Sequence, residues 1–303
     1  MMTYYLAATA PETIDLGFVQ LGWFKVLILG IVQGITELLP ISSTAHMRIV
    51  PSLLGWPDPG SAFSAAMQMA SLGAVLSYFW KDIKSLVGGT VRSIADRNYQ
   101  SRDLQLTLGL IIGTLPLGIL GLLLKKTLNA PNSPLRGLVV IGVASIVMSL
   151  LLALAEFQGT RERGFGKLTL KDGLLVGVAQ ALALIPGVSR SGSTLTAGLF
   201  LGMERETAAK FSFLLGLPAV TLAGAILFET AKPNELHALF KAGLDANGWF
   251  VLIVGLTSAS ISAFLAIYGL LRYLENQSTW IFVWYRLAIG LFLIIGSVQG
   301  FLH

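Results

Sequence analysis

Apolar residues run along this chain in stretches too long for one face of a soluble helix. A helix needs about 20 mostly apolar residues to cross a bilayer. Six stretches meet that length, roughly 61–80, 104–124, 135–155, 208–228, 249–271 and 280–301. Two further apolar stretches are interrupted. One, about 24–50, contains Lys25, Glu37, Pro40, His46 and Arg48; the other, about 173–201, contains Pro186, Gly187, Arg190 and Gly192. Broken apolar segments of this kind suit backbone that enters the membrane part-way, packed in protein or lining a water-filled cavity. The pattern predicts an all-α polytopic membrane protein: six full transmembrane helices plus two re-entrant helix pairs.

Composition agrees with that class. Of 303 residues, 54% are hydrophobic and 12% charged, about half the charge of a soluble domain. That balance excludes disorder, a coiled coil and an ordinary cytosolic enzyme. The absence of cysteine excludes a disulfide framework and thiolate metal sites. The net charge of +5 does not point to nucleic acid, because the basic residues cluster on no soluble segment. The first 15 residues lack the basic start and apolar run of a signal peptide, although Ala8-Thr9-Ala10 resembles a cleavage site; an uncleaved N-terminus is expected.

Loop charge gives an orientation. Lys and Arg number 12 in the stretches 81–103, 156–172, 203–210 and 272–279, against 5 in 49–60, 125–136 and 229–248. The positive-inside bias places the first set in the cytoplasm. If each broken segment returns to its own side, the first opens outward, the second inward, and the two halves are inverted. The sequence carries a matching repeat. GIVQGITELLPISSTAHM from Gly30 aligns with GVAQALALIPGVSRSGST from Gly177, with a one-residue gap before the proline. The reading is a single transmembrane domain over 1–303, with repeat one about 1–155 and repeat two about 156–303.

Charge inside the apolar segments locates candidate chemistry. Of 21 Lys and Arg, 17 lie in the loops; the other four are Lys25, Arg48, Arg190 and Arg286. Among the carboxylates, Glu37 alone sits inside an apolar segment. A charge at mid-membrane costs about 2.5–3.5 kcal/mol even on the mildest scale, so such residues normally face a functional cavity. Lys25 and Arg48 are near segment ends and can snorkel to headgroups. Arg286 follows Trp280, Trp284 and Tyr285, which suits an interfacial anchor as well as a site residue. Glu37 and Arg190 sit in the middle of their segments.

Gln33 and Glu37, four apart, share a helix face. Pro40 then disfavours helix, and Ser42, Ser43 or Thr44 can cap a new one. Ser43 and His46, three apart, face one side of it. In the second segment, Pro186-Gly187-Val188-Ser189-Arg190-Ser191-Gly192-Ser193-Thr194 opens an apolar helix with free N–H groups, hydroxyls and a guanidinium. That combination suits an anion cradle; the spacing of a Walker loop is absent. Inverted repeats can bring two such helix starts around one anion at mid-membrane.

At these residues the chain resembles the undecaprenyl pyrophosphate phosphatase family, of the bacitracin-resistance type. The resemblance runs along essentially the whole chain and rests on QGITELLPISSTAHM, from Gln33 to Met47, and PGVSRSG, from Pro186 to Gly192. It implies a phosphatase of the bacterial plasma (inner) membrane that cleaves undecaprenyl diphosphate to the monophosphate carrier used in peptidoglycan synthesis. It also implies a site open to the outer side, a divalent cation (Mg²⁺ or Ca²⁺), and interlocked inverted repeats. Carried over by position, Glu37 binds the metal or acts as acid/base, and Gln33 takes the variable carboxylate-or-amide place. Ser43 is the candidate nucleophile, with Ser42, Thr44 and Ser189 orienting oxygens. Arg190 clamps the diphosphate within a cradle that includes Gly187, Ser191 and Thr194, and His46 handles a proton or holds the serine. Ala45 stands where many members have glycine. Gln33 contributes less charge to a metal site than a second carboxylate.

Two mechanisms fit these residues: attack by Ser43 through a phosphoserine, or attack by metal-bound water. A lipid-phosphate or anion transporter or flippase would use the same midplane site, with Glu37 and His46 carrying protons. The expected partners are the lipid diphosphate and membrane lipids, with monomer and homodimer both left open.

Overall fold

The structure, a computed structural model, describes residues 17–128, 135, 137–230, 244–300 and 302. The expected uncleaved start lies outside the described residues. Eleven helices run in order among them: α1 Gly17–Leu38, α2 Ser43–Leu53, α3 Ser61–Tyr78, α4 Trp80–Ala95, α5 Arg102–Leu128, α6 Leu138–Gln158, α7 Leu170–Ala181, α8 Arg190–Phe200, α9 Arg205–Thr230, α10 Ala246–Asn276 and α11 Trp280–Val298. Among the described residues there is no strand.

Both expected breaks are present, between α1 and α2 and between α7 and α8. Among the described residues, five helices are long and apolar enough to cross a membrane: α1, the Arg102–Leu124 part of α5, α6, α10 and α11. α1 belongs to this set although the sequence places it in a broken segment. Its backbone leaves helical geometry at Gly22 (φ 77°, ψ 163°), so the continuous part is Trp23–Leu38, about 24 Å at 1.5 Å per residue. One helix was not expected. α4 occupies the stretch read as a loop, because its charged residues hide it from a search for uninterrupted apolar runs.

Three helix pairs come together through glycine, as expected where lipid gives helices no hydrophobic reason to associate and close backbone contact must do so. α1 lies on α10, where a methyl group at Gly34 would come 2.3 Å from the Ala259 carbonyl oxygen. α7 lies on α5, where one at Gly177 would meet the Gly113 carbonyl at 2.1 Å. In the third pair, α6 on α11, a methyl group on Gly142 would come 2.7 Å from the Gly290 carbonyl oxygen and one on Gly290 2.8 Å from that of Gly142. Gly30 and Gly34 of the first broken segment therefore rest on a helix late in the chain, while Gly173 and Gly177 of the second rest on an early one. The largest apolar core lies among α3, α5, α8, α9 and α10, around Phe79, Phe211, Phe213 and Leu195.

Polar staples fix one end of the bundle. Glu156 at the end of α6 is 3% exposed and accepts from Arg205 Nε at 3.0 Å and from the Thr279 hydroxyl at 2.8 Å, joining α6, α9 and α11. Asp172 takes both guanidinium arms of Arg163 at 2.8 and 2.7 Å and closes a capping box with Thr169 at the start of α7.

Candidate active site

Each broken segment turns through a left-handed serine. Ser42 (φ 73°) stands before α2 and Ser189 (φ 71°) before α8. Ser189 caps its helix, accepting from the Gly192 N–H at 3.1 Å. Gly187 (φ 96°) precedes it with its backbone pressed on α6: an added Cβ would lie 2.4 Å from the Ile141 carbonyl oxygen. Both the positive φ and the contact demand glycine here. These turns make Ser43 the first residue of α2 and Arg190 the first of α8.

The two helix starts meet at Glu37. Its Oε2 accepts from Ser43 Oγ at 2.8 Å and from Gln33 Nε2 at 3.0 Å, and its Oε1 accepts from Arg190 Nη2 at 3.4 Å. Glu37 and Arg190 side chains retain 13% and 15% of their exposure, so both are part-buried but still reachable. Ser191 reaches across from α8 and donates to the Leu39 carbonyl at 3.0 Å, covering the end of α1, and lies 3.2 Å from the Ser189 hydroxyl. Arg190 is backed by Gly216 of α9, where a methyl group would fall 1.9 Å from Nη1. Thr194 supports it from behind by donating to the Arg190 carbonyl at 2.8 Å. Arg190 Nη1 and Ser42 Oγ are buried with no hydrogen-bond partner among the described residues. An unpaired guanidinium nitrogen beside a helix start is a ready donor for an anion.

The other expected residues are placed less directly. Thr44 is exposed on α2. His46 is 6% exposed, and its hydrogen bonds go to neither Ser43 nor Glu37. Its Nδ1 lies 2.8 Å from the Ser42 carbonyl and its Nε2 2.6 Å from the Tyr285 hydroxyl. Since a carbonyl only accepts, Nδ1 carries a proton, and Nε2 pairs with the Tyr285 hydroxyl. His46 thus holds the Ser42 turn.

Sequence reasoning missed how this site is held. Arg286 is 1% exposed, so it is not an interfacial anchor. Its Nη1 donates to the Pro40 carbonyl, and its Nη2 to the Gly187 and Val188 carbonyls, each at 2.9 Å. One guanidinium thereby ties the two turns together. Tyr285, its neighbour, ties His46 to the same helix. Lys25 lies over the Trp56 ring, 5.5 Å from its centre.

Among the described residues, no three His, Cys, Asp or Glu side chains gather as a metal site, and Glu37 is the carboxylate of this one. Such a donor set fits a hard divalent ion that takes one carboxylate and completes its shell with substrate oxygens and water. It does not fit a closed protein cage.

A family model described as bacitracin resistance protein BacA matches residues 26–292, taking in both broken segments and Arg286. The chain belongs to the BacA family. Named relatives of this BacA chain cover it nearly end to end. An undecaprenyl-diphosphatase of Trichormus variabilis is 52% identical over 97% of this chain and 89% of its own length. An undecaprenyl-diphosphatase 2 of Mesorhizobium japonicum is 57% identical over 89% of this chain and 99% of its own. An undecaprenyl-diphosphatase of Synechococcus elongatus is 47% identical, covering 98% and 99%.

Proposed function

We propose that this chain is an undecaprenyl-diphosphate phosphatase, releasing phosphate and returning the monophosphate carrier lipid to peptidoglycan synthesis. The observation that carries the reading is the Ser43 hydroxyl hydrogen-bonded to Glu37 at 2.8 Å beside an arginine with a buried, unpaired Nη1. A hydroxyl donating to a carboxylate within about 3.2 Å has the geometry of a nucleophile and its general base.

Ser43 Oγ attacks the terminal phosphorus in line as its proton passes to Glu37. The bond from that phosphorus to the bridging oxygen breaks, and the lipid monophosphate leaves with the electron pair and the proton that Glu37 returns. Water, deprotonated by Glu37, then attacks the phosphoserine; phosphate departs and Ser43 recovers its proton. Arg190 binds the diphosphate through its guanidinium and stabilises charge gathering on the transferred group. Glu37, with the side-chain oxygen of Gln33, would hold Mg²⁺ or Ca²⁺, which supplies positive charge to the phosphoryl oxygens when bound.

The finer topology belongs to the same proposal. α2, α7 and α8 have 11, 12 and 11 residues, about 16–18 Å of helix, and continuous α1 is about 24 Å; a bilayer core is about 30 Å. α2, α7 and α8 are too short to cross alone, which favours two re-entrant pairs among six crossings. The exchange of partners, α1 with α10 and α7 with α5, favours interlocked inverted halves. Loop charge favours a site open to the outside, and membership of the BacA family favours the bacterial inner membrane.

The test is phosphate release from undecaprenyl diphosphate by detergent-purified protein. Hydrolysis needs no second compartment, so turnover in micelles is expected. A folded protein that releases none with Mg²⁺ or Ca²⁺, yet moves the lipid in vesicles, is a transporter and overturns the reading.

A further inference from the structure

α4 carries an apolar stripe that no described part of the protein covers and that its place in the fold explains. Trp80, Val87, Val91 and Ile94 are 53–61% exposed. At 100° per residue they fall within about 60° of one another around the helix. Lys84, Lys81 and Arg92, all exposed, follow on one flank of that stripe. The other flank and back face the protein: Ile83 and Leu86 pack on the core, and Ser93 is buried.

The helix lies across the ends of its neighbours. Asp82 near its start accepts from Lys210, in the second turn of α9, at 2.6 Å. Thr90, two turns further, meets the Asp103 carbonyl at 3.2 Å and the Thr107 hydroxyl at 2.7 Å, in the first two turns of α5. The starts of α5 and α9 share one end of the bundle, since Arg102 and Lys210 both lie over the Phe165 ring, at 5.8 and 5.0 Å. A helix stretched between these two starts runs along the membrane surface. Of the acidic groups on or beside it, Asp82 is paired with Lys210, Asp103 sits against Gly89, and Asp96 follows the last turn. The face beside the stripe is therefore basic.

We infer that α4 is an interfacial helix that binds the anionic phospholipid headgroups of the leaflet at this end of the bundle. Its Trp80–Ile94 stripe sinks to the acyl boundary while Lys81, Lys84 and Arg92 contact phosphates. An apolar stripe with a basic flank is the pattern of helices lying in a membrane surface. Basic residues just past a transmembrane segment bind anionic lipid in the same way. The inference rests on membrane residence, not on the phosphatase reading.

Because the chain has no cysteine, single probes can be placed cleanly. Spin labels at Val87→Cys, Val91→Cys and, as the control on the polar side, Ser85→Cys are read in phosphatidylglycerol–phosphatidylcholine vesicles with oxygen and a water-soluble nickel chelate. Oxygen is expected to reach 87 and 91 better than nickel does, with the order reversed at 85. Separately, Lys81→Gln, Lys84→Gln and Arg92→Gln are combined and lipid binding is followed by the melting shift in detergent. Wild type is expected to favour phosphatidylglycerol over phosphatidylcholine, less so at high salt. The triple variant loses about 10- to 100-fold of that affinity. Nickel reaching 87 and 91 as freely as 85, both reagents excluded from them as by a protein partner, or an unchanged lipid preference in the triple variant each overturns the inference.

Discussion

Ser43 and Arg190 open the two helices that follow the broken turns, and they bind opposite oxygens of one carboxylate: Ser43 Oγ donates to Glu37 Oε2 at 2.8 Å and Arg190 Nη2 to Oε1 at 3.4 Å. The two helix starts share a local geometry: Ser42 (φ 73°) precedes Ser43 and Ser189 (φ 71°) precedes Arg190. Ser43 and Arg190 thus hold the same place after their turns, and in the proposed reaction one is the attacking hydroxyl and the other the anion clamp. The asymmetry extends to the glutamines. Gln33 bonds Glu37, whereas Gln180 is fully buried with neither amide atom paired among the described residues.

Gly216→Ala separates anion binding from folding. The methyl group would fall 1.9 Å from Arg190 Nη1 and push the guanidinium off its seat, while alanine in place of glycine favours the helix by up to about 1 kcal/mol. Activity is expected to fall about 10- to 100-fold, mostly through a raised KM. Melting temperature is expected to hold or rise. Steady-state kinetics and a melting curve on the same preparation check both signs.

Arg286 is expected to be irreplaceable by lysine. Its three 2.9 Å bonds to Pro40, Gly187 and Val188 need a planar fork, and a single ammonium at the end of a flexible stem lacks that geometry. Hydrogen bonds to charged groups contribute about 1.5–3 kcal/mol each. Arg286→Lys should therefore cost about 2–4 kcal/mol by thermal unfolding in detergent, with activity lowered at least tenfold.

Asp172 makes stability depend on acid. Burial pushes its carboxyl up, but hydrogen bonds from Arg163 and Thr169 outweigh burial and hold it below the ordinary carboxylate range. A group whose folded pKa is depressed stabilises the fold above its unfolded value, about 3.9, and that stability is lost as pH falls through the folded value. Melting temperature should drop as pH goes below about 4. In Asp172→Asn it should be lower at neutral pH, and the part of the acid dependence due to this group should vanish.

Much of this was legible in the sequence because the informative residues break a pattern. Glu37 and Arg190 are charges in apolar runs, Pro40 and Pro186 end helices, and the 33 glycines announce close helix contacts. What was hidden lies in partners without side-chain signatures. Arg286 binds backbone carbonyls 98 to 246 residues away, so nothing in its neighbourhood distinguished a clamp from an anchor beside Trp280 and Trp284. His46 shares a helix face with Ser43, yet its ring turns to Tyr285, on a helix more than 200 residues later. α4 escaped because its apolar residues recur every three or four positions, not in a run.

The central claim is that Ser43, activated by Glu37, attacks the lipid diphosphate. It is tested most directly by phosphate release from undecaprenyl diphosphate in detergent with Mg²⁺ or Ca²⁺, comparing wild type with Ser43→Ala, each checked for folding by its melting curve. Loss of a nucleophile held by its base predicts a drop of about 10³-fold or more with KM little changed. A folded Ser43→Ala protein that keeps a tenth or more of wild-type turnover would contradict the covalent route and leave water as the attacking group.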